Sequence, residues 1–77
     1  MTFVPGTAYL ALPRKSCAAR TPLVCLSCKD GVAVFASVKR LAPAAVTPFS
    51  ASACATVSID GDEYDVCSDH MIAGGVR

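Results

Sequence analysis

Two short motifs hold the side chains with the most chemistry to offer. Cys25-Leu26-Ser27-Cys28 has the CxxC spacing by which two thiolates grip one zinc ion from a tight turn, and Gly31 just beyond supports such a turn. Cys67-Ser68-Asp69-His70 is a CxxH pair that completes a Cys3His tetrahedron, the closed arrangement of a structural zinc site. Cys25, Cys28, Cys67 and His70 are therefore the candidate ligands of a zinc-ribbon-like interaction module. Against this, 38 residues (29–66) separate the two motifs, a long span for a small ribbon. His70 is the only imidazole available to activate a thiol, and no local signature sets it beside one. GxSxG, HExxH and a phosphate-cradling Gly-rich loop are absent, so the chain reads as non-enzymatic, with no cofactor outside the zinc reading.

The elements that must position these residues read as strands. No apolar stripe of helical period runs for a useful length; short β-rich runs at 8–12, 23–26, 32–38, 56–59 and 63–67 are punctuated by Pro and Gly. An all-β fold, a small sandwich or barrel in one domain over residues 1–77, is expected. In Val57-Ser58-Ile59-Asp60-Gly61-Asp62-Glu63-Tyr64-Asp65-Val66 an Asp-Gly pair between alternating runs predicts a hairpin with a type I′ turn. A two-residue loop sets Val57 opposite Tyr64 and Ala55 opposite Val66 on a core face, with Ser58, Glu63, Thr56 and Asp65 on the other. The same register brings Cys54 opposite Cys67 at a close, non-hydrogen-bonded position. A disulfide is feasible there, although a reducing cytoplasm favours two reduced thiols. The Ala-, Pro- and Ser-rich stretch 41–55 is too apolar to read as a linker and receives no strand.

At 77 residues, 53% hydrophobic and 17% charged, the chain has room for one small core. Ordering costs roughly 1.5 kcal/mol per residue, so support from metal, disulfide or partner subunits is expected. A net charge of +1 argues against nucleic-acid binding. Residues 41–59 are uncharged, but Pro43 and Pro48 interrupt them and no membrane span is expected. No basic residue precedes Arg14 and the five cysteines are an odd number, which together point to the cytoplasm. The acids around Asp60 lack the oxygen spacing of a calcium loop. Six of the seven basic residues lie between Arg14 and Arg40, and five of the six acids between Asp60 and Asp69. These are either two solvated edges of one fold or complementary surfaces for head-to-tail association of copies.

The stretch from Val57 through Ile59-Asp60-Gly61-Asp62-Glu63-Tyr64, Val66, Ser68 and Ile72 to Val76 resembles the last segment of GroES-type co-chaperonins. Phe3-Val4-Pro5 with Tyr9-Leu10-Ala11-Leu12 is similar to that family's opening, Gly31-Val32-Ala33-Val34-Phe35 to its central strand, and Phe49 to a strand-ending Phe. The resemblance implies a small, partly open β-barrel that assembles into a ring and caps an ATP-driven chaperonin, assisting protein folding. It also implies a mobile loop, here 14–26, with Leu23, Val24 and Leu26 as the apolar anchors that dock on the chaperonin. On the residues alone, 23–26 reads instead as a buried strand. The stretch between Val38 and Phe49 is too short for the family's roof hairpin, a trimming that suits a reduced, phage-encoded relative. A third reading keeps the barrel without the chaperonin: an oligomeric β module that decorates a larger assembly such as a capsid.

Overall fold

A computed structural model describes residues 3–15, 18–38, 40–49 and 52–72. Six strands follow in order: β1 (Ala8–Pro13), β2 (Thr21–Lys29), β3 (Val32–Ala36), β4 (Leu41–Phe49), β5 (Ser52–Ile59) and β6 (Asp62–Cys67). Each pairs antiparallel with its neighbour in sequence, and β6 returns to β1. The all-β barrel expected from the sequence forms, closed rather than partly open.

Closure depends on the stretch that received no strand. Residues 41–45 of β4 pair with β3 and residues 46–49 with β5. The strand thus passes from one ladder to the next, with a neighbour on one side at a time. Pro43 and Pro48 fit for this reason: a strand flanked on one side only has positions where a missing N–H breaks no ladder. Strand β1 also changes ladder, pairing through residues 8–11 with β2 and through 12–13 with β6. Residues 70–72 then run back along β1, where Leu10 N–H donates to the His70 carbonyl at 3.0 Å and Ile72 N–H to that of Ala8 at 2.9 Å.

The predicted hairpin is present pair for pair, with Val57 opposite Tyr64, Ala55 opposite Val66 and Cys54 opposite Cys67. Its turn residues Asp60 and Gly61 have φ of 51° and 85°, the left-handed values a type I′ turn demands. The same dipeptide closes β2 onto β3, where Asp30 and Gly31 have φ of 53° and 74°. Gly31 therefore serves a hairpin and not a metal knuckle.

The wall of a six-stranded barrel encloses little volume, and the inward positions reflect it. Ala11, Ala33, Ala42, Ala44, Ala53 and Ala55 line the interior around Phe3, Tyr9, Leu23, Phe35, Val57 and Val66. Phe3 stands edge-on to Tyr9 and to Phe35, with ring centroids 4.9 and 5.0 Å apart, near the preferred T-shaped geometry. The Tyr9 hydroxyl accepts a hydrogen bond from Val4 N–H at 2.8 Å, so its burial leaves no polar atom unpaired.

Gly31→Ala and Gly61→Ala should each destabilise the barrel by about 1–2 kcal/mol, the penalty for holding an L side chain in the left-handed region. No atom lies within 4 Å of a Cβ built at either position, so the loss is conformational and not steric. Gly61→Asn should recover most of it, because Asn tolerates these angles. Urea unfolding of the three variants measures this; equal losses for Ala and Asn at position 61 would contradict the turn assignment.

Candidate functional site

Alternation along the strands sorts side chains to the two sides of the wall. On β2, β3 and β4 the inward rows are Cys25, Phe35 and Ala42, and Cys28, Ala33 and Ala44. The outward rows are Val24, Ala36 and Leu41; Ser27, Val34 and Pro43; and Lys29, Val32 and Ala45. A register shift between Cys25 and Ser27 makes Leu26 the extra residue of a bulge, and it projects outward, 48% exposed. With Leu41 60% and Val32 44% exposed, this is a largely apolar sheet face turned to solvent and carrying a single charge, Lys29.

The outer surface of β5 and β6 differs in character. Arg14 Nε donates to Asp65 Oδ1 at 3.1 Å and Nη2 to Thr56 Oγ1 at 3.2 Å, while Nη1 lies 3.7 Å from Glu63. The hydrogen bond it donates to Asp65, then the charge of that carboxylate, holds the Arg14 guanidinium above its ordinary pKa. Lys15 pairs with Asp62 at 3.6 Å and Arg40 with Asp60 at 2.6 Å. The basic and acidic stretches of the sequence thus meet within one chain. They are neighbouring solvated surfaces of one fold, and exposed pairs of this kind contribute little stability.

The proposed loop anchors separate. Leu23 is fully buried opposite Tyr9, Val24 is half-buried opposite Ala36, and only Leu26 is well exposed. Residues 21–26 belong to β2, so the connection from β1 is confined to 14–20, of which Ser16 and Cys17 lie outside the described residues. Leu23 is a core residue because its strand parity is that of Cys25 and Phe35. This is the buried-strand reading of 23–26, not that of a docking tripeptide.

The four candidate zinc ligands are not assembled either. Cys25 and Cys28 face the interior, whereas Cys67 lies on the outer face between the inward Val66 and the turn at 68–69, with His70 exposed beyond it. One ion cannot bridge the two sides of the wall. Cys67 is instead bonded to Cys54, with α-carbons 4.1 Å apart, so the pair expected to be reduced is a disulfide. Cys25 and Cys28 remain free. Burial, then the neighbouring Cys28, pushes the Cys25 thiol up, opposed by a hydrogen bond with the Ser27 backbone.

Among the described residues, the one group of three or more metal-ligating side chains is Cys67, Asp69 and His70, whose ligand atoms all lie within 4.8 Å of one another. Asp69 was not singled out from the sequence; its place in the CxxH turn is the signal that could have found it. No helix among the described residues is long and apolar enough to cross a membrane. The chain matches no family model, no curated protein and no solved structure.

Two outcomes follow. The disulfide joins residues 13 apart, and replacing both Cys54 and Cys67 by Ala should lower the unfolding free energy by about 3 kcal/mol in a denaturant titration. A raised pKa leaves less Cys25 thiolate at neutral pH, and its side chain is enclosed. Iodoacetamide on the native protein should therefore label Cys28 well ahead of Cys25, read by peptide mass mapping; labelling of Cys25 first would place it outside the core.

Proposed function

We propose that this chain catalyses no reaction and is a small oligomeric β-barrel module that decorates a larger assembly, its copies associating through the outer face of β2, β3 and β4. The observation that supports this most directly is the run of cross-strand pairs Val24, Ala36, Leu41, Val34, Pro43, Val32 and Ala45, apolar on the side away from the core. A barrel already has an interior to bury apolar side chains, so a second apolar face costs solubility unless something covers it. Three short strands present a few hundred Å² at the strand spacings involved, the size of an interface centre and not of a whole interface. Lys29 and Asp30 at one end and Arg40 with Asp60 at the other supply a polar rim.

The occupant we favour is the same face of a second copy. Two apolar sheet faces pack well against each other, and the ion pairs of Arg14, Lys15 and Arg40 are made within the chain, which leaves apolar contact as the main term for association. A lid role on a chaperonin, implied by the resemblance to GroES-type proteins, is less well supported. It needs Leu23 withdrawn from the core and presented on a loop. The zinc-ribbon reading needs Cys25 and Cys28 to face outward.

Native mass spectrometry and sedimentation should find multimers at tens of micromolar. Combining Val32→Lys with Leu41→Glu should shift the population to monomer while the circular dichroism and thermal melt stay close to those of the parent, because both side chains are solvent-exposed. A parent that stays monomeric across that range, or a double variant that assembles like it, would contradict this reading.

A further inference from the structure

The corner formed by β5, β6 and the turn after β6 brings four metal-ligating side chains together. Cys54 and Cys67 are directly opposite, and Asp69 and His70 follow within three residues of Cys67. From this geometry we infer that the corner is a redox-gated zinc site: the disulfide is its closed state, and two-electron reduction yields a site of two thiolates, the His70 imidazole and the Asp69 carboxylate. These ligand types suit tetrahedral zinc, whose bonds to S, N and O of about 2.0–2.3 Å put neighbouring ligand atoms roughly 3.3–3.8 Å apart. The ligand atoms of Cys67, Asp69 and His70 already fall within 4.8 Å of one another, and His70 Nε2 lies 3.9 Å from Asp69 Oδ1. Asp69 and His70 are exposed, so their side chains have room to turn toward the two sulfurs.

The backbone at this corner is fixed by bonds other than the disulfide. Ser68 N–H donates to the Ala53 carbonyl at 2.8 Å, and Ala53 N–H donates to Ser68 Oγ at 3.0 Å. His70 N–H donates to the Cys67 carbonyl at 3.0 Å, closing the turn that sets Cys67 and His70 side by side. The residue before Cys54 is thus tied to the residue after Cys67, and the β5–β6 ladder continues as far as the Asp60-Gly61 turn. Opening the S–S bond leaves the two sulfurs on adjacent strands, near van der Waals separation, which is also about the edge of a tetrahedral site.

The chemistry balances with a thiol reductant. One dithiol, or two monothiols, attacks the Cys54–Cys67 bond; the bond breaks, its sulfurs take up two electrons and two protons, and the reductant leaves as its own disulfide. Zinc then replaces the two thiol protons, which pass to solvent. The Cys67–His70 spacing is the one the sequence offers for zinc, but its partners are Cys54 and Asp69 instead of Cys25 and Cys28.

The test is cobalt(II) titration of the reduced full-length chain, freed of reductant under argon. One cobalt per chain should bind, giving thiolate-to-metal charge transfer in the near ultraviolet and tetrahedral bands in the visible; the oxidised chain should give neither, and zinc should displace the colour. Cys54→Ser should abolish the signal and His70→Ala weaken binding about tenfold or more, whereas Cys17→Ser and the pair Cys25→Ser with Cys28→Ser should keep it. A folded, reduced chain without thiolate–cobalt bands would overturn the proposal. So would a signal that persists in Cys54→Ser, or one lost in the Cys25/Cys28 variant while that variant stays folded. Should reduction unfold the barrel, zinc must restore its circular dichroism; a chain that stays unfolded with zinc equally overturns the proposal.

Discussion

The barrel wall is one residue thick, and in an antiparallel wall of period two each side chain has a fixed side. Most of what distinguishes this protein follows from that parity. It puts Leu23, Cys25 and Phe35 inside with the alanines of β4 and β5, and it turns Val24, Val34 and Leu41 outward. It also separates the two cysteine pairs: the bulge at Leu26 lets Cys25 and Cys28 share the inner side, while Cys54 and Cys67, flanked by the inward Ala53, Ala55 and Val66, share the outer one. A shift of one residue in β2 would exchange its core for its surface and dismantle the ladder to β3.

How legible this was in the sequence depended on how local the determining signal is. The β5–β6 hairpin was readable because Asp60-Gly61 fixes a two-residue loop, and the loop fixes every pair beyond it, down to Cys54 opposite Cys67. Whether those thiols bond was not readable. The cytoplasmic reading favoured reduced thiols, whereas in the structure the two cysteines are bonded, with α-carbons 4.1 Å apart. The Asp30-Gly31 turn carries the same signal, but the adjacent CxxC reads as a metal motif, and the strand expected at 23–26 stops at Leu26, the residue that breaks alternation, three short of its observed end at Lys29. Strand β4 was hidden because its inward residues are Ala42 and Ala44 and it contains two prolines, a pattern that reads as loop unless one knows that the strand serves one neighbour at a time.

Charge illustrates a different limit. Clustering of basic residues before Arg40 and acids after Asp60 is visible in the sequence, but whether the clusters meet within a chain or between chains is a matter of topology. Return of β6 to β1 settles it: Arg14 arrives beside Thr56, Glu63 and Asp65, and the attraction is used internally. With those charges paired on one side of the barrel, the outer face of β2, β3 and β4 stands out as a largely apolar stretch of surface.

A domain of this size ordinarily has only a few kcal/mol of net stability, so one cross-strand disulfide worth about 3 kcal/mol is a large share of it. Losing that bond with nothing in exchange would bring the barrel near its unfolding threshold. A metal held by the same two sulfurs restrains the same strands at the same point, and it draws two further ligands from a turn already tied to Ala53. The disulfide and the metal are thus alternative crosslinks for one register. The corner opposite the apolar face is where a chain this short can change its chemistry while keeping the parity on which its core depends.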